Sequence, residues 1–264
     1  MALNRNIKYG WRRDRPDIRD FKFERMVALK ALRTTALPAH VYLRRFCSQV
    51  TDQGQLGSCT ANALTNLLEY NECANGRGGA QFKDLSRLFV YYNERVLEGT
   101  VDQDAGAEIR DGIKTLALYG VCPEAGWPYV PDQFNVKPLT ACFIAAKAYT
   151  IHSYYALRTL NDMRTCLANG NPFVFGFTVY ESFESDEVAN SGIVQMPKSG
   201  EQVLGGHAVM AMGYNDAQQR FLVKNSWGKD WGLKGELGGY FTIPYAYLSN
   251  PELASDFWTV VKDI

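Results

Sequence analysis

One cysteine of this chain stands in a setting suited to nucleophilic chemistry. Cys59 ends the stretch "QGQLGSC" and precedes "TANALTNLLEY", whose apolar spacing predicts a helix over residues 59–74. A thiol attacks as its thiolate, and the dipole and free amides of a helix amino terminus lower the thiol pKa. The preceding glycines, Gly54 and Gly57, allow close approach of the backbone. A buried, inert cysteine is the alternative interpretation of Cys59 taken alone.

A thiolate nucleophile needs a proton acceptor, and the chain has three histidines. His207 is the best candidate, because two glycines precede it in "LGGHAVMAMGYN" and a strand-like run follows. His40 and His152 have no comparable setting. A hydrogen-bonded core histidine is the alternative interpretation of His207.

An imidazole base in turn needs a group that holds its ring in the useful tautomer. Asn225, in "KNSWG", is the candidate, since its side-chain oxygen can accept the imidazole N–H. Trp227 then shields that hydrogen bond from water. A turn asparagine and a core tryptophan are the structural alternatives for these two residues.

Taken together, these segments resemble the papain-like cysteine peptidases in content and in order. The matching segments are "GSC" (57–59), "GGHAV" (205–209), "NSWG" (225–228) and "WG" (231–232), with Gln53 six residues before the cysteine. "GVCPE", "WPY" and the terminal "ASDFW" resemble a bacterial branch of that family with short amino-terminal extensions.

The resemblance implies a role for each of four residues. Cys59 is the nucleophile, and His207 forms an ion pair with its thiolate and later protonates the leaving amine. Asn225 orients His207. Gln53 donates its side-chain N–H, together with the Cys59 amide, to the developing oxyanion. No metal or organic cofactor is implied.

The chain departs from the usual family pattern beside the nucleophile. Thr60 stands where an aromatic residue is common, and Leu56 stands where a disulfide-forming cysteine is common. The loop "DQDAGAE" lacks the usual partner cysteine as well. We therefore expect Cys59 to be a free thiol and the chain to have few or no disulfides, as in a reducing compartment.

Composition excludes several classes of function. The 264 residues carry 28 Lys+Arg and 28 Asp+Glu, so bulk charge predicts neither a nucleic-acid partner nor a membrane-surface partner. No apolar run is long enough to cross a bilayer, and the polar amino terminus does not resemble a signal peptide. The six cysteines include no Cys-x-x-Cys pair, which argues against a zinc site. The sequence does not determine the compartment, with the cytoplasm slightly favoured.

The elements that position these residues change character near residue 146. Helices are predicted over 59–74, 81–98, 107–120 and 159–170, and strands over 173–180, 207–214, 220–227, 239–248 and 257–264. This order indicates an α+β chain. The resemblance implies two lobes, a helical one (37–145) and a β-barrel-like antiparallel one (146–264), with the active-site cleft between them.

Residues 1–36 are short, charged and marked by Pro16, which favours an extended conformation over a helix. By resemblance they form a minimal prosegment that lies across the cleft, either in the reverse direction or with its carbonyls away from Cys59. We expect anchoring ion pairs from Arg12, Arg13, Asp14 and Asp17. An arm packed permanently on the β lobe is the alternative.

The predicted activity is that of an endopeptidase working through an acyl-enzyme, latent while the segment covers the cleft. Its partners are peptide or protein substrates, with cystatin-type and epoxide compounds as inhibitors, and we expect a monomer. An acyl transferase or peptide ligase using the same residues is the alternative enzyme. A catalytically silent binding module is disfavoured by the intact set of four residues.

Overall fold

Helices dominate the first half of the chain and strands the second in the computed structural model, which describes residues 7–74 and 83–261. The helices are α1 (Phe23–Lys30), α2 (Cys59–Ala74), α3 (Arg87–Glu98), α4 (Ile109–Leu118), α5 (Thr140–Ala146), α6 (Leu160–Ala168), α7 (Asp186–Ser191) and α8 (Tyr245–Leu248). The strands are β1 (Trp11–Arg12), β2 (His40–Tyr42), β3 (Ala107–Glu108), β4 (Ser153–Ala156), β5 (Phe173–Tyr180), β6 (Val203–Asn215), β7 (Arg220–Lys224), β8 (Tyr240–Pro244) and β9 (Ala254–Val261). None of the helices in these ranges is both long and apolar enough to cross a membrane.

Most predicted elements are confirmed, and the exceptions have local causes. Helix α2 has the predicted bounds, and β5 matches its predicted strand. The helix predicted over 81–98 begins only at Arg87, because the Ser86 side chain accepts a hydrogen bond from the Phe89 amide and caps it. Residues 81 and 82 lie outside the described residues. The helix predicted over 107–120 loses its first two residues to β3. The strand predicted over 239–248 ends at Pro244, and residues 245–248 form helix α8 instead.

The sheet of the second half has the strand order β4-β9-β5-β6-β7-β8, with β2 paired to β6, and every one of these pairs is antiparallel. The predicted α+β fold class, with a mainly helical first part and an antiparallel sheet in the second, is therefore confirmed. Strand β2 comes from the range predicted as the helical lobe, yet it extends the sheet. A second, two-stranded sheet pairs β1 with β3 in parallel.

Buried polar contacts tie helix α2 to the sheet. The ammonium group of Lys224 on β7 donates to Asn66 Oδ1 on α2 and to Ser48 Oγ, both at 2.7 Å. Further along α2, Asn71 donates to the carbonyl of Val260 at 3.1 Å. These bonds satisfy side chains removed from water, so they fix the direction of α2 relative to the sheet.

The sequence predicts an extended amino-terminal segment, but residues 23–30 of it form helix α1. Its charged residues hide two apolar ones at helical spacing, Phe23 and Met26, and these face inward from α1. Both are fully buried in the core of the sheet portion. A backbone bond of 2.8 Å from Ala156 to the Phe21 carbonyl joins the start of α1 to β4. Helix α1 is therefore part of the folded body.

Replacing Phe23 tests this integration of α1. Phe23→Ala should lower the free energy of unfolding by about 3–5 kcal/mol, because it leaves a cavity in the core. Leu29→Ala on the same helix is the matched control, since Leu29 is 68% exposed and its loss should change stability by less than about 0.5 kcal/mol. Denaturant unfolding of both variants measures the difference. Equal costs would show that α1 is not packed as described.

Candidate active site

The predicted nucleophile lies at the first residue of a helix. Cys59 begins α2 after a tight turn in which Gly54 has a φ of +59° and donates to Asp52 Oδ1 at 2.9 Å. Gly57 donates its amide to Asp104 Oδ1 at 3.0 Å. The glycines predicted to ease backbone approach thus shape the turn that delivers Cys59.

The Cys59 sulfur is sealed inside the protein. It is surrounded by the backbone amides of Ala208, Gly10 and Thr60, which act to lower its pKa. Complete burial outweighs them and raises the pKa of the thiol to about 11. In this arrangement Cys59 is a neutral thiol.

His207 and Asn225 are in direct contact. His207 lies on β6, and its Nε2 is 2.8 Å from Asn225 Oδ1. Because an amide oxygen only accepts, Nε2 carries the proton and Nδ1 is the free acceptor. Trp227 stacks on the imidazole with ring centroids 4.9 Å apart. Trp227 therefore covers the ring that holds this hydrogen bond.

Burial lowers the pKa of His207 to about 4, against the Asn225 hydrogen bond, which raises it. Within the described part of the chain, His207 Nδ1 has no hydrogen-bond partner. The thiol of Cys59 therefore lies next to the amide of Ala208. It makes no hydrogen bond to the imidazole of His207. Thiol and imidazole are both uncharged here.

Gln53 is held rigidly by a residue to which the sequence had given no role. Its Oε1 accepts from Ser226 Oγ at 2.6 Å, and its Nε2 donates to the carbonyl of Leu56 at 3.0 Å. Ser226 follows Asn225 directly, and its amide donates to Asn225 Oδ1 at 2.8 Å. The quoted "NSWG" contains this serine, but only the folded chain shows that it connects Gln53 to Asn225.

The amino-terminal segment passes directly over these residues. The Lys8 carbonyl accepts from Gln53 Nε2 at 3.3 Å. The ring of Tyr9 meets those of His207 and Trp227 edge-on, with centroids 6.3 Å apart in both cases. The Lys8 carbonyl thus occupies an N–H of Gln53, the group that the sequence predicts as the donor to an oxyanion. Residues 8 and 9 cover the site.

Gly10 and Trp11 continue this cover onto the sheet. A Cβ on Gly10 would lie 1.8 Å from the Gly57 carbonyl oxygen, so only glycine fits over the nucleophile turn. The Trp11 indole packs on Gly176, whose Cβ would lie 1.9 Å from the ring, and donates to Asp256 Oδ2 at 3.0 Å. The "YGW" stretch (9–11) was a signal that sequence reasoning missed.

The four anchoring residues predicted from the sequence behave differently from one another. Arg12 forms an ion pair with Glu98 on α3, which agrees with the predicted anchoring to the helical portion. Arg13 donates instead to the Pro251 carbonyl at 2.8 Å, and Asp14 accepts from the Trp258 indole at 2.8 Å. Asp17 pairs with Arg19 inside the segment, so the prediction that it anchors the segment to a lobe is wrong. Arg19 is only two residues from Asp17, so it pairs with this carboxylate more readily than a residue of either lobe.

The chemistry available here is that of a thiol, an imidazole and two amides. No group of three or more His, Cys, Asp or Glu side chains in the described ranges is placed to hold a metal ion. All six cysteines are free thiols in the structure, including Cys59.

A helical portion and an antiparallel sheet that meet at a buried thiol and an imidazole–amide pair define a papain-type cysteine protease. A sequence profile of the papain family cysteine proteases matches residues 37–247, and the chain belongs to this family.

Proteins similar to this chain include a viral protein, a bacterial protease of known structure and a mammalian cathepsin precursor. An uncharacterised peptidase C1-like protein of Acanthamoeba polyphaga mimivirus is 42% identical over 98% of this chain and 88% of its own. The crystal structure of xylellain, a cysteine protease from Xylella fastidiosa, is 38% identical with a TM-score of 0.86, covering 100% of this chain and 99% of that one. Pro-cathepsin H of Bos taurus is 29% identical over 75% of this chain and 56% of its own.

Removing the Ser226 hydroxyl tests how Gln53 is held. Ser226→Ala should lower kcat on a fluorogenic dipeptide about tenfold with little change in KM, because a mispositioned oxyanion donor weakens transition-state stabilisation. Ser199→Ala, at an exposed loop position, is the control and should leave both constants unchanged. A Ser226→Ala enzyme with wild-type kcat would mean that Leu56 and the chain fold suffice to orient Gln53.

Proposed function

We propose that this protein is an endopeptidase that hydrolyses peptide bonds through an acyl-enzyme on Cys59. His207 takes the thiol proton and returns it to the leaving amine, and Asn225 keeps its ring in the required tautomer. Gln53 and the Cys59 amide stabilise the oxyanion. A peptide or protein is the substrate, as membership of the family implies.

The 2.8 Å contact between His207 and Asn225, beside a cysteine at a helix amino terminus, carries this proposal. The contact leaves Nδ1 as a base that nothing else in the described chain uses. Water or substrate entering the site would relieve the burial that keeps both groups neutral. Thiolate and imidazolium then become the favoured pair, since opposite charges at short range stabilise each other.

Covalent labelling tests the nucleophile. An epoxide thiol inhibitor should modify Cys59, and Cys59→Ala should abolish hydrolysis of a fluorogenic peptide while leaving the melting temperature nearly unchanged. The reason is that the sulfur forms the acyl bond and no other side chain replaces it. Mass mapping identifies the modified residue, and Cys166→Ala, at a buried cysteine on α6, controls for loss of a core thiol. Wild-type turnover by Cys59→Ala would overturn the mechanism.

We further propose that the full-length chain is latent. Residues 8–11 occupy the space that a substrate needs at Cys59, His207 and Gln53, and Gly10 lies against the nucleophile turn. Strand β1 runs parallel to β3, and the Ala107 amide donates to the Gly10 carbonyl at 2.7 Å. The Gly10 carbonyl is therefore engaged by Ala107, and the Lys8 carbonyl by Gln53, so both are held in the cover.

Residues 1–36 thus combine two roles in this proposal. The stretch around residues 8–14 is a cover, and α1 is an anchor whose side chains belong to the core. In this proposal the peptidase domain spans residues 37–264, with a mainly helical lobe up to 145 and a β lobe from 146, and α1 packs into the core of the β lobe although it precedes that range. Removal of all 36 residues would also remove Phe23 and Met26 from the core. Latency is therefore better tested by changes confined to the cover.

Trp11 is the side chain that fastens the cover to the sheet, because it is buried against Gly176 and bonded to Asp256. Trp11→Ala in the full-length chain should raise kcat/KM on a fluorogenic dipeptide about tenfold or more, since losing a buried aromatic weakens the closed state by about 3 kcal/mol. Deletion of residues 1–13 should have a larger effect. Ile18→Ala, at a fully exposed position of the same segment, should have none.

An unchanged kcat/KM in both Trp11→Ala and the 1–13 deletion, with the proteins still folded, would show that the segment is a structural arm. The salt dependence of kcat/KM is a second measurement of how the cover is held. Lys8 pairs with Asp104 at 2.7 Å, and its side chain is half exposed, so raising salt should weaken the cover only slightly.

A further inference from the structure

A buried carboxyl group lies directly behind the nucleophile turn and has no role in the mechanism above. Glu94, on α3, is completely buried, and its Oε2 accepts a hydrogen bond of 2.9 Å from Thr60 Oγ1. Thr60 is the residue that follows Cys59 on α2 and is itself fully buried. Side chains of acidic residues are seldom fully buried without a paired charge, so Glu94 needs an explanation.

The residues around Glu94 leave space for its carboxyl group, but none of the described ones forms a salt bridge with it. Oε1 has no hydrogen-bond partner among the described residues. A Cβ on Gly112 of α4 would lie 2.3 Å from Oε1 and 2.3 Å from Leu64, so the absence of a side chain there creates the space that the carboxyl group fills. The packing of three helices thus keeps this acid against Thr60.

Thr60 links Glu94 to the reacting atom. The Thr60 amide is one of the three backbone groups that face the Cys59 sulfur and favour its thiolate. The side chain of the same residue is held by Glu94. The hydroxyl–carboxyl contact between Thr60 and Glu94 therefore lies one residue from the reacting sulfur.

We propose that Glu94 is a positioning residue for the nucleophile, which acts by holding Thr60 so that the first turn of α2 keeps its amide directed at Cys59 Sγ. This inference rests on the proposed peptidase function, because it concerns the thiolate of the same reaction. Glu94 touches neither substrate nor sulfur.

The charge of Glu94 matters to the thiolate as well as its position. Burial raises the pKa of Glu94 to about 8, more than the Thr60 hydrogen bond and the charge of Arg95 lower it. The other charged groups that face it are Asp111 on α4, which raises its pKa, and Arg12 on β1, which lowers it. Cys59 is the titratable group that faces it from α2, and an ionised Glu94 raises the Cys59 pKa.

The sign of the pH effect follows from these directions. Below about pH 8 Glu94 is neutral and its carboxyl group positions Thr60 without opposing the thiolate. Above that pH it ionises, and the added negative charge disfavours the thiolate. A Glu94→Gln enzyme keeps an acceptor for Thr60 but cannot ionise, so its activity should decline less as the pH rises.

The experiment compares four substitutions in the full-length chain. Thr60→Ser and Glu94→Gln keep the hydroxyl and the acceptor, and they should retain kcat within about twofold at pH 6. Thr60→Val and Glu94→Leu remove them, and they should lower kcat about tenfold with KM nearly unchanged, because only the geometry of attack is disturbed. Between pH 6 and pH 9 the ratio of kcat/KM for Glu94→Gln to that of wild type should rise about threefold.

Glu69→Gln is the matched control. Glu69 is a buried glutamate of α2 whose Oε1 accepts from the Leu85 amide at 2.8 Å, and burial also raises its pKa, to about 7. It lies ten residues beyond Cys59, about 15 Å along the helix axis. Its variant should follow the wild-type pH profile, whatever happens to its stability.

The rate of Cys59 alkylation by iodoacetamide is a second readout that needs no peptide hydrolysis, and it should show the same threefold rise in the Glu94→Gln to wild-type ratio. Superimposed wild-type and Glu94→Gln profiles, or a folded Thr60→Val enzyme with wild-type kcat, would overturn the role of Glu94. If Cys59 is alkylated but no variant, wild type included, cleaves peptides, the proposed function fails while the alkylation series still decides on Glu94.

Discussion

The site depends on how closely the first turn of helix α2 approaches strand β6. The thiol comes from the helical portion and the imidazole from the sheet, so neither can act unless two backbones meet almost without intervening side chains. The amide of Ala208, the residue after His207, acts to lower the pKa of the Cys59 thiol. Polar bonds buried further along α2, from Lys224 and to Val260, hold the helix at the angle that makes this approach possible.

The same closeness leaves both reacting groups of the covered site buried and uncharged. With residues 8–11 in place, both the thiol and the imidazole are removed from water, and burial moves their pKa values apart in the directions that keep each uncharged. The hydrogen bonds that prepare the site are nevertheless complete, since Asn225 already fixes the imidazole and Ser226 already fixes Gln53. The site is therefore preorganised and uncharged at the same time, because its hydrogen bonds depend on geometry whereas its charge state depends on exclusion of water.

Sequence reasoning succeeded where the information is local. Glycines before a helix signal and a histidine in a strand-like run singled out Cys59 and His207, which the structure places on α2 and within β6, and helical periodicity gave the bounds of α2. It failed where burial is decided by distant contacts. The charged residues around Phe23 concealed α1, whose inward face exists only because the sheet offers a core to pack on. Ser226 lay inside a recognised motif, yet its bond to Gln53 joins parts of the chain that only folding brings together.

Helix α1 also determines the effective local concentration of the cover at the active site. The apolar face of α1 is built into the sheet portion. In the proposed latent form, the stretch around residues 8–14 would therefore remain tethered close to the site even after it moved away. Short flexible connections of this kind correspond to effective local concentrations of about millimolar, whatever the dilution of the protein. In the proposed latent form a substrate would therefore compete with a covalently attached ligand, and lasting access would require cleavage of the connecting chain or occupation of the site that Trp11 leaves.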